Sequence, residues 1–205
     1  MKAFLFSDLH ANRLALANLA QFLNNNNGID LIISAGDIVN MGEPVAFIPK
    51  FTEVIKNTNL PFFWVPGNND FGRAYYKLKS EYNTLEGSVC KYKGIILTGV
   101  GGSPASWAGQ YAGEKMIDRK KIGGSIFVSH FPPPGILSWQ KGDCHSPTAK
   151  KLSDSPLVHI CGHIHHQWGC AYLGQTKVIK LGAAETGFYA ILDLENLEVE
   201  FGRFR

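Results

Sequence analysis

No apolar run in this chain approaches the roughly 18 residues that a membrane-spanning helix needs, so a bilayer-embedded helix is not expected. No CxxC pair occurs either: Cys90, Cys144, Cys161 and Cys170 are scattered. That spacing argues against a dense disulfide framework and a thiolate zinc cluster, and it makes reduced thiols in a cytoplasmic protein the expectation. Basic tracts are scarce. The densest is Arg119-Lys120-Lys121, and 20 Lys+Arg against 17 Asp+Glu leave a formal charge of only +3. A solvated turn accounts for three adjacent cations, so a nucleic-acid surface is not indicated. Internal repeats and linker-like stretches are missing, so residues 1–205 read as one domain. A hydrophobic fraction of 45% with 18% charged residues belongs to the soluble globular class, and 22 glycines suit many tight turns. Oligomeric state is left open by the sequence; a homo-oligomer is compatible with it.

What is present is a set of short apolar runs, each ending in residues that bind metal or phosphate. They are AFLF before Ser7-Asp8-Leu9-His10, LIISA before Gly36-Asp37, FFWVP before Gly67-Asn68-Asn69-Asp70, SIFV before Ser129-His130, and LVHIC before Gly162-His163-Ile164-His165. Runs of this length read as buried strands, and ligands of open α/β sheets gather at the strands' carboxyl ends. Export is disfavoured on the same ground. Cleavage of a secretory signal after about 15–30 residues would remove Asp8 and His10.

Between the runs, Leu16, Leu19, Ala20 and Leu23 recur at helical spacing and predict a helix from about Asn12 to Leu23, closed by the polar stretch Asn24 to Gly28. Phe47, Phe51, Val54 and Ile55 predict a second helix, whose regular part is expected to start late because of Pro49, and Phe71 to Tyr82 a third. Strand and helix therefore alternate in a βαβαβ opening with parallel strands. Later strands are predicted at Gly94–Gly99, Ser125–Ser129 and Leu157–Cys161, with a helix from Ser146-Pro147 to Leu152. Two antiparallel hairpins close the chain, Cys170–Leu173 with Val178–Leu181 and Gly187–Leu194 with Glu198–Phe204. So many strands exceed one comfortable sheet. Two stacked sheets with helices outside are favoured.

Singly, these motifs are weak. An Asp-x-His triplet on a strand end puts both side chains on one side by the period-two rule, but local hydrogen bonding yields many such triplets. Gly36-Asp37 and Gly67-Asn68-Asn69-Asp70 would pass for turns. Gly162-His163-Ile164-His165 is the strongest, since two imidazoles can converge while the glycine admits close approach. His159 sits inside a strand among apolar neighbours and reads as a core histidine; His145 and His166 read as surface residues.

Taken together and in order, Asp-x-His, Gly-Asp, Gly-Asn-x-Asp, His and Gly-His-x-His, the motifs resemble those of the calcineurin-like metallophosphoesterase family, over about Lys2 to Gly182. The resemblance implies a four-layer αββα sandwich of two mixed sheets. It also implies two divalent transition-metal ions, one held by Asp8, His10, Asp37 and His165, the other by Asp37, Asn68, His130 and His163, with Asp37 shared. Carboxylate, imidazole and amide oxygen together suit Mn, Fe, Ni or Zn. The implied reaction is hydrolysis of a small phosphoester by a hydroxide bridging the metals.

Two positions depart from the family pattern. Where many members have a histidine that helps the leaving group, this chain has Asn69, which cannot supply a proton at neutral pH. The expectation is therefore the small phosphodiesterase branch, with Asn69 and Asp70 the candidate catalytic residues and Asp70 orienting a neighbour such as His10. The second departure is Lys180-Leu181-Gly182 in place of Asn-Pro-Gly. Lys180 reads either as an anion contact or as a solvated strand-end lysine. Asn12 and Asn40 are candidate substrate contacts, and Trp107 and Tyr111 in the loop Gly101 to Gly124 are either a stacking wall or buried aromatics. A phosphomonoesterase, a nuclease or a non-catalytic scaffold of the same fold are the alternatives; the full ligand set argues against the scaffold.

Overall fold

A computed structural model describes residues 1–25, 28–41, 46–102, 122–133 and 156–204. The chain opens with β1 (Lys2–Phe6), α1 (Arg13–Asn25), β2 (Leu31–Ser34), α2 (Phe47–Asn57), β3 (Phe62–Trp64) and α3 (Arg73–Glu81). Then follow β4 (Val89–Tyr92), β5 (Ile95–Val100), β6 (Ile126–Ser129), β7 (Val158–Cys161), β8 (Gly169–Leu173), β9 (Thr176–Lys180), a 3₁₀ turn (Ala184–Thr186), β10 (Phe188–Asp193) and β11 (Val199–Arg203).

The strands form two mixed sheets, in the orders β11-β10-β1-β2-β3 and β4-β5-β6-β7-β9-β8. In the first, β1, β2 and β3 run parallel with Phe6, Ser34 and Trp64 in register, so their carboxyl ends finish level. In the second, β5, β6, β7 and β9 run parallel.

Alternation along the strands explains the layering, because successive side chains point to opposite faces. Phe4, Phe6, Ile32, Phe62 and Trp64 pack on Leu16, Leu19, Phe51, Ile55 and Leu78 of the three helices. Their neighbours Ala3, Leu5, Leu31, Ile33, Phe63 and Val65 face Leu97, Ile126, Val128, Ile160 and Ile179 of the other sheet. Each fully buried large side chain contributes about 1.5–3 kcal/mol, so the double-faced strands β1 to β3 clamp the helical layer and the sheet–sheet core together. The far face of the second sheet carries Val100, Phe127 and Ile122.

Several expectations shift in detail. Helix α2 begins at Phe47, ahead of Pro49, because a proline in the first turn forfeits only an amide that has no helical partner. Strand β4 escaped the sequence reading because its pattern is exposed and half-buried, so it never forms an apolar run. The two closing hairpins join different sheets: β8–β9 sits on the second and β10–β11 on the first, against β1. The helix expected at Ser146 to Leu152, His145, Trp107 and Tyr111 lie outside the described residues. Among the described residues no helix is long and apolar enough to cross a membrane.

Candidate metal centre

Loops from both sheets meet where the parallel strands end. After β1 the chain runs along the β2 loop, with Asp8 N donating to Gly36 O (2.9 Å) and His10 N to Asp37 O (3.0 Å). From the second sheet, His163 N donates to Asp8 Oδ2 at 3.0 Å, and the His130 ring reaches Ala35 O at 2.8 Å through Nδ1. Two close approaches depend on glycine. A Cβ on Gly162 would lie 2.7 Å from Asp8 Oδ2, and one on Gly67 2.6 Å from Asp37 Cγ, so a larger residue at either place would displace a carboxylate.

The convergence of Asp8 and His10 has a different cause from the strand alternation expected. Strand β1 stops at Phe6, and Asp8 (φ 56°) and His10 (φ 50°) both adopt left-handed backbone. Asp37 (φ 53°) and His163 (φ 72°) do the same. Such conformations cost of order 1–3 kcal/mol each and persist only where surrounding structure fixes them, typically at functional sites.

The resulting cluster has two lobes. Asp8, His10 and His165 bring ligand atoms together, as do Asp8, Asp37 and His130. Asp37 Oδ2 reaches both lobes, 3.8 Å from His10 Nε2 and 3.4 Å from His130 Nε2. Asn68 Oδ1 and His163 Nδ1 lie 2.9 Å and 3.2 Å from His130 Nε2. Across the first lobe, His10 Nε2 and His165 Nε2 are 3.0 Å apart. Thus all seven predicted ligands, Asp8, His10, Asp37, Asn68, His130, His163 and His165, come together.

Three features fit a cation. Asp8 Oδ1 is buried and receives no hydrogen bond, its nearest polar neighbours being His165 Nε2 at 3.4 Å and His10 Nε2 at 3.8 Å, an arrangement that is costly for a carboxylate oxygen unless a positive group completes it. The imidazole nitrogens of His10 and His165 converge at hydrogen-bond distance, so a proton or cation must lie between their lone pairs. Titration points the same way. Burial opposes charge on Asp8 and Asp37, yet neighbouring imidazoles hold both carboxyls below the usual range. Burial likewise opposes charge on His130, but Asp37 lifts it to about 9; His10 is raised against burial by Asp8. His163 goes the other way, pushed down to about 4 by burial and then by His130. A divalent cation seated among these carboxylates would take the place of the protons that they draw onto His10 and His130, while His163 stays neutral and able to ligate.

The remaining candidates have specific partners. Asn69 donates its side-chain amide to Asp37 Oδ2 (2.6 Å) and its backbone N–H to Asp37 Oδ1 (2.7 Å), clamping the carboxylate that spans the lobes. Asp70 does not meet His10. Its carboxylate accepts the backbone amides of Gly67 (3.0 Å), Ile38 (3.2 Å) and Val39 (2.9 Å), bracing the β2 and β3 loops, and burial followed by Asp37 raises its pKa to about 6. The partner of His10 is Asn40, whose Oδ1 lies 2.9 Å from Nδ1 and whose amide returns to His10 O. Asn12 caps α1, accepting Ala15 N at 3.0 Å. Lys180 is fully buried and donates to Ile164 O (2.9 Å), tying down the His163–His165 turn; it is not a solvated strand-end lysine. His159 is the core histidine expected, and His166 is exposed. Sequence reasoning missed Glu185, whose Oε1 lies 2.9 Å from His165 Nδ1. No local motif marks it.

Comparison with known proteins agrees with this architecture. A family model described as calcineurin-like phosphoesterase matches residues 1–167. An uncharacterised protein of Methanocaldococcus jannaschii is 27% identical over 168 residues, covering 73% of this chain and 76% of that protein. The 3′,5′-cyclic adenosine monophosphate phosphodiesterase CpdA of Escherichia coli is 27% identical over 154 residues, 67% of this chain. The chain covers 55% of that protein's length, and only 27% of the CpdA of Haemophilus influenzae, which is 39% identical over 74 residues and matched by 33% of this chain. Among solved structures, TT1561 of Thermus thermophilus aligns with a TM-score of 0.76 at 20% identity, covering 100% of this chain and 99% of that one. A dimetal phosphatase from Danio rerio aligns with a TM-score of 0.63 at 12% identity, with the same coverage. These structural likenesses are likenesses of fold.

Proposed function

Since this chain belongs to the calcineurin-like phosphoesterase family and is a hydrolase of phosphoester bonds, we propose that it works with two divalent transition-metal ions and that its substrates are phosphodiesters. Asp8, His10, Asp37 and His165 would hold one ion, and Asp37, Asn68, His130 and His163 the other. The observation that carries this reading is the buried Asp8 Oδ1, which receives no hydrogen bond, at the junction of two Asp/His lobes. Ions bound there would supply Lewis acidity to phosphoryl oxygens and lower the pKa of a water toward neutrality; Mn, Fe, Ni and Zn all suit the donor set.

The chain's own part is to orient ligands and to decide which leaving groups can depart. Asn69 is committed to Asp37 through both its amides. An amide cannot protonate an alkoxide at neutral pH, so the leaving oxygen must depart with little help from this position. Asp70 offers no substitute, because three backbone amides occupy its carboxylate. Esters of acidic alcohols meet that condition, which favours aryl diesters over alkyl monoesters; a cyclic nucleotide releases a ribose alkoxide and draws no such advantage. The similarity to CpdA supports the diester side of this choice. The free thiols of Cys90, Cys161 and Cys170 support a reducing, cytoplasmic setting.

The test is metal analysis of protein purified without chelator, with hydrolysis assays on an aryl diester, cyclic nucleotides and an alkyl monoester. Two ions per chain and faster diester turnover are expected. Faster turnover of the alkyl monoester would overturn the substrate class. Protein without metal and without turnover on added Mn²⁺ would overturn the centre.

A further inference from the structure

Imidazole is a ligand through one nitrogen only, and the other must carry the proton when the ring is neutral. Whatever accepts that proton fixes the tautomer and the plane of the ring. In this chain the acceptors differ. His130 directs Nδ1 to the carbonyl of Ala35, and His10 directs Nδ1 to the amide oxygen of Asn40, both neutral groups. His165 directs Nδ1 to a carboxylate, Glu185 Oε1, at 2.9 Å, while its Nε2 lies 3.4 Å from Asp8 Oδ1.

Glu185 is placed for this contact by its backbone. It lies in the 3₁₀ turn after β9, where Ala184 N donates to Ser7 O (2.8 Å) and Glu185 N to Asp8 O (3.0 Å). The turn is thus riveted to the backbone of the Asp8 segment, and its side chain reaches across to His165. That ring needs a tether. Its side chain is 39% exposed, against 10% for His10 and none for His130, so packing alone restrains it least.

We propose that Glu185 is a positioning residue of the metal centre: its carboxylate holds His165 in the Nδ1-protonated tautomer, so that Nε2 is presented with Asp8 and His10 to a divalent cation. The proposal rests on the two-ion reading above. A carboxylate behind a ligating imidazole also makes the ring a better donor, and loss of such a partner typically weakens metal binding roughly 10- to 100-fold.

The experiment compares wild type, Glu185→Ala, Glu185→Gln and His165→Ala. Metal-free protein is titrated with Zn²⁺ by calorimetry, and the His165 tautomer is read from imidazole ¹⁵N shifts before and after loading. Glu185→Ala is expected to weaken one of two Zn²⁺ steps by roughly 10- to 100-fold, leave the other unchanged, and give mixed His165 tautomers in the metal-free protein. Glu185→Gln, which keeps an acceptor oxygen without the charge, is expected to retain the tautomer and recover part of the affinity. Wild-type tautomer populations and Zn²⁺ affinities in Glu185→Ala would overturn the role of Glu185 while leaving the centre standing. Two unaltered Zn²⁺ steps in His165→Ala would overturn the assignment of His165 itself. If wild type binds no Zn²⁺, the two-ion reading falls and takes the proposal with it.

Discussion

Around His130 the tether is a backbone carbonyl, that of Ala35, and the neighbouring Asp37 is held by the backbone and side-chain amides of Asn69 and a close approach to Gly67, whereas around His10 and His165 the tethers are the side chains of Asn40 and Glu185 alone. The His130 lobe is the inner one, between the sheets, where main-chain carbonyls and amides of both converge, and His130 is fully buried. The His10–His165 lobe is the outer one, at the rim under the 3₁₀ turn, where His165 is partly open to solvent. A ligand held by backbone can be lost only by deforming the fold; a ligand held by a side chain can be retuned by one substitution. The His130 ring of the inner lobe is thus fixed by architecture and the two rings of the outer lobe by sequence.

Asp37 offers the most direct way to break that contrast, because its Oδ2 faces both lobes. Asp37→Asn should empty both sites and reduce hydrolysis by more than the roughly 100-fold that losing a partner behind a ligand costs. Metal content and kcat, with circular dichroism to confirm folding, measure this. Asp8 competes for the shared position, since it belongs to both ligand groups. If Asp37→Asn keeps one ion at wild-type affinity while Asp8→Asn loses both, the shared carboxylate is Asp8.

A smaller effect should follow from His159, which stands behind the inner lobe and not in it. Its Nε2 lies 2.6 Å from Ser129 Oγ, whose hydroxyl donates to Phe131 O, so a neutral Nε2–H completes the chain on either side of His130. Burial pushes its pKa down to about 3. The sign follows: between the ordinary value of about 6.5 and about 3 the unfolded chain binds a proton that the native state refuses. Stability from this group is full above about 6.5 and declines as pH falls through that window, by up to about 1.4 kcal/mol per pH unit. His159→Gln should cost about 1–3 kcal/mol near neutrality through the disturbed bond and packing. It should flatten the acid decline and leave metal stoichiometry and kcat within a few-fold of wild type. Denaturant unfolding of both proteins across pH 4–8 checks this; parallel pH curves would contradict it.

The same contrast explains what the sequence could and could not reveal. Strand ends were readable because buried parallel strands must be short apolar runs, and the ligands were readable because each follows such a run in a recognisable order. The lobes' supports were not. Asn40 is 30 residues from His10, and Glu185 is 20 positions beyond His165, so neither partner shares a motif with its ring. Asp70, placed beside His10 by analogy with other carboxylates behind ligands, turns instead to Ile38, Val39 and Gly67, because three amides in one place outbid a single ring nitrogen. Left-handed backbone at Asp8, His10, Asp37 and His163 was invisible for a related reason. It is imposed by contacts between loops, not by the propensity of any one residue.

The smallest expected effect concerns Asn12, behind the outer lobe. Its Oδ1 accepts the amide of Ala15 at 3.0 Å, the geometry of a helix N-cap, and its side-chain amide lies 3.4 Å from Glu185 O. Removing a cap of this kind costs about 0.5–2 kcal/mol. Asn12→Ala should therefore lower unfolding free energy by about 1 kcal/mol, with KM for an aryl diester unchanged, since the side chain is committed to α1 and the turn that carries Glu185. The companion substitution Asn12→Asp sharpens the distinction. An aspartate keeps the cap, so stability should return, whereas a direct contact to an anionic substrate would suffer from the added negative charge and KM would rise. A rise in KM in both variants would put Asn12 back in the substrate pocket.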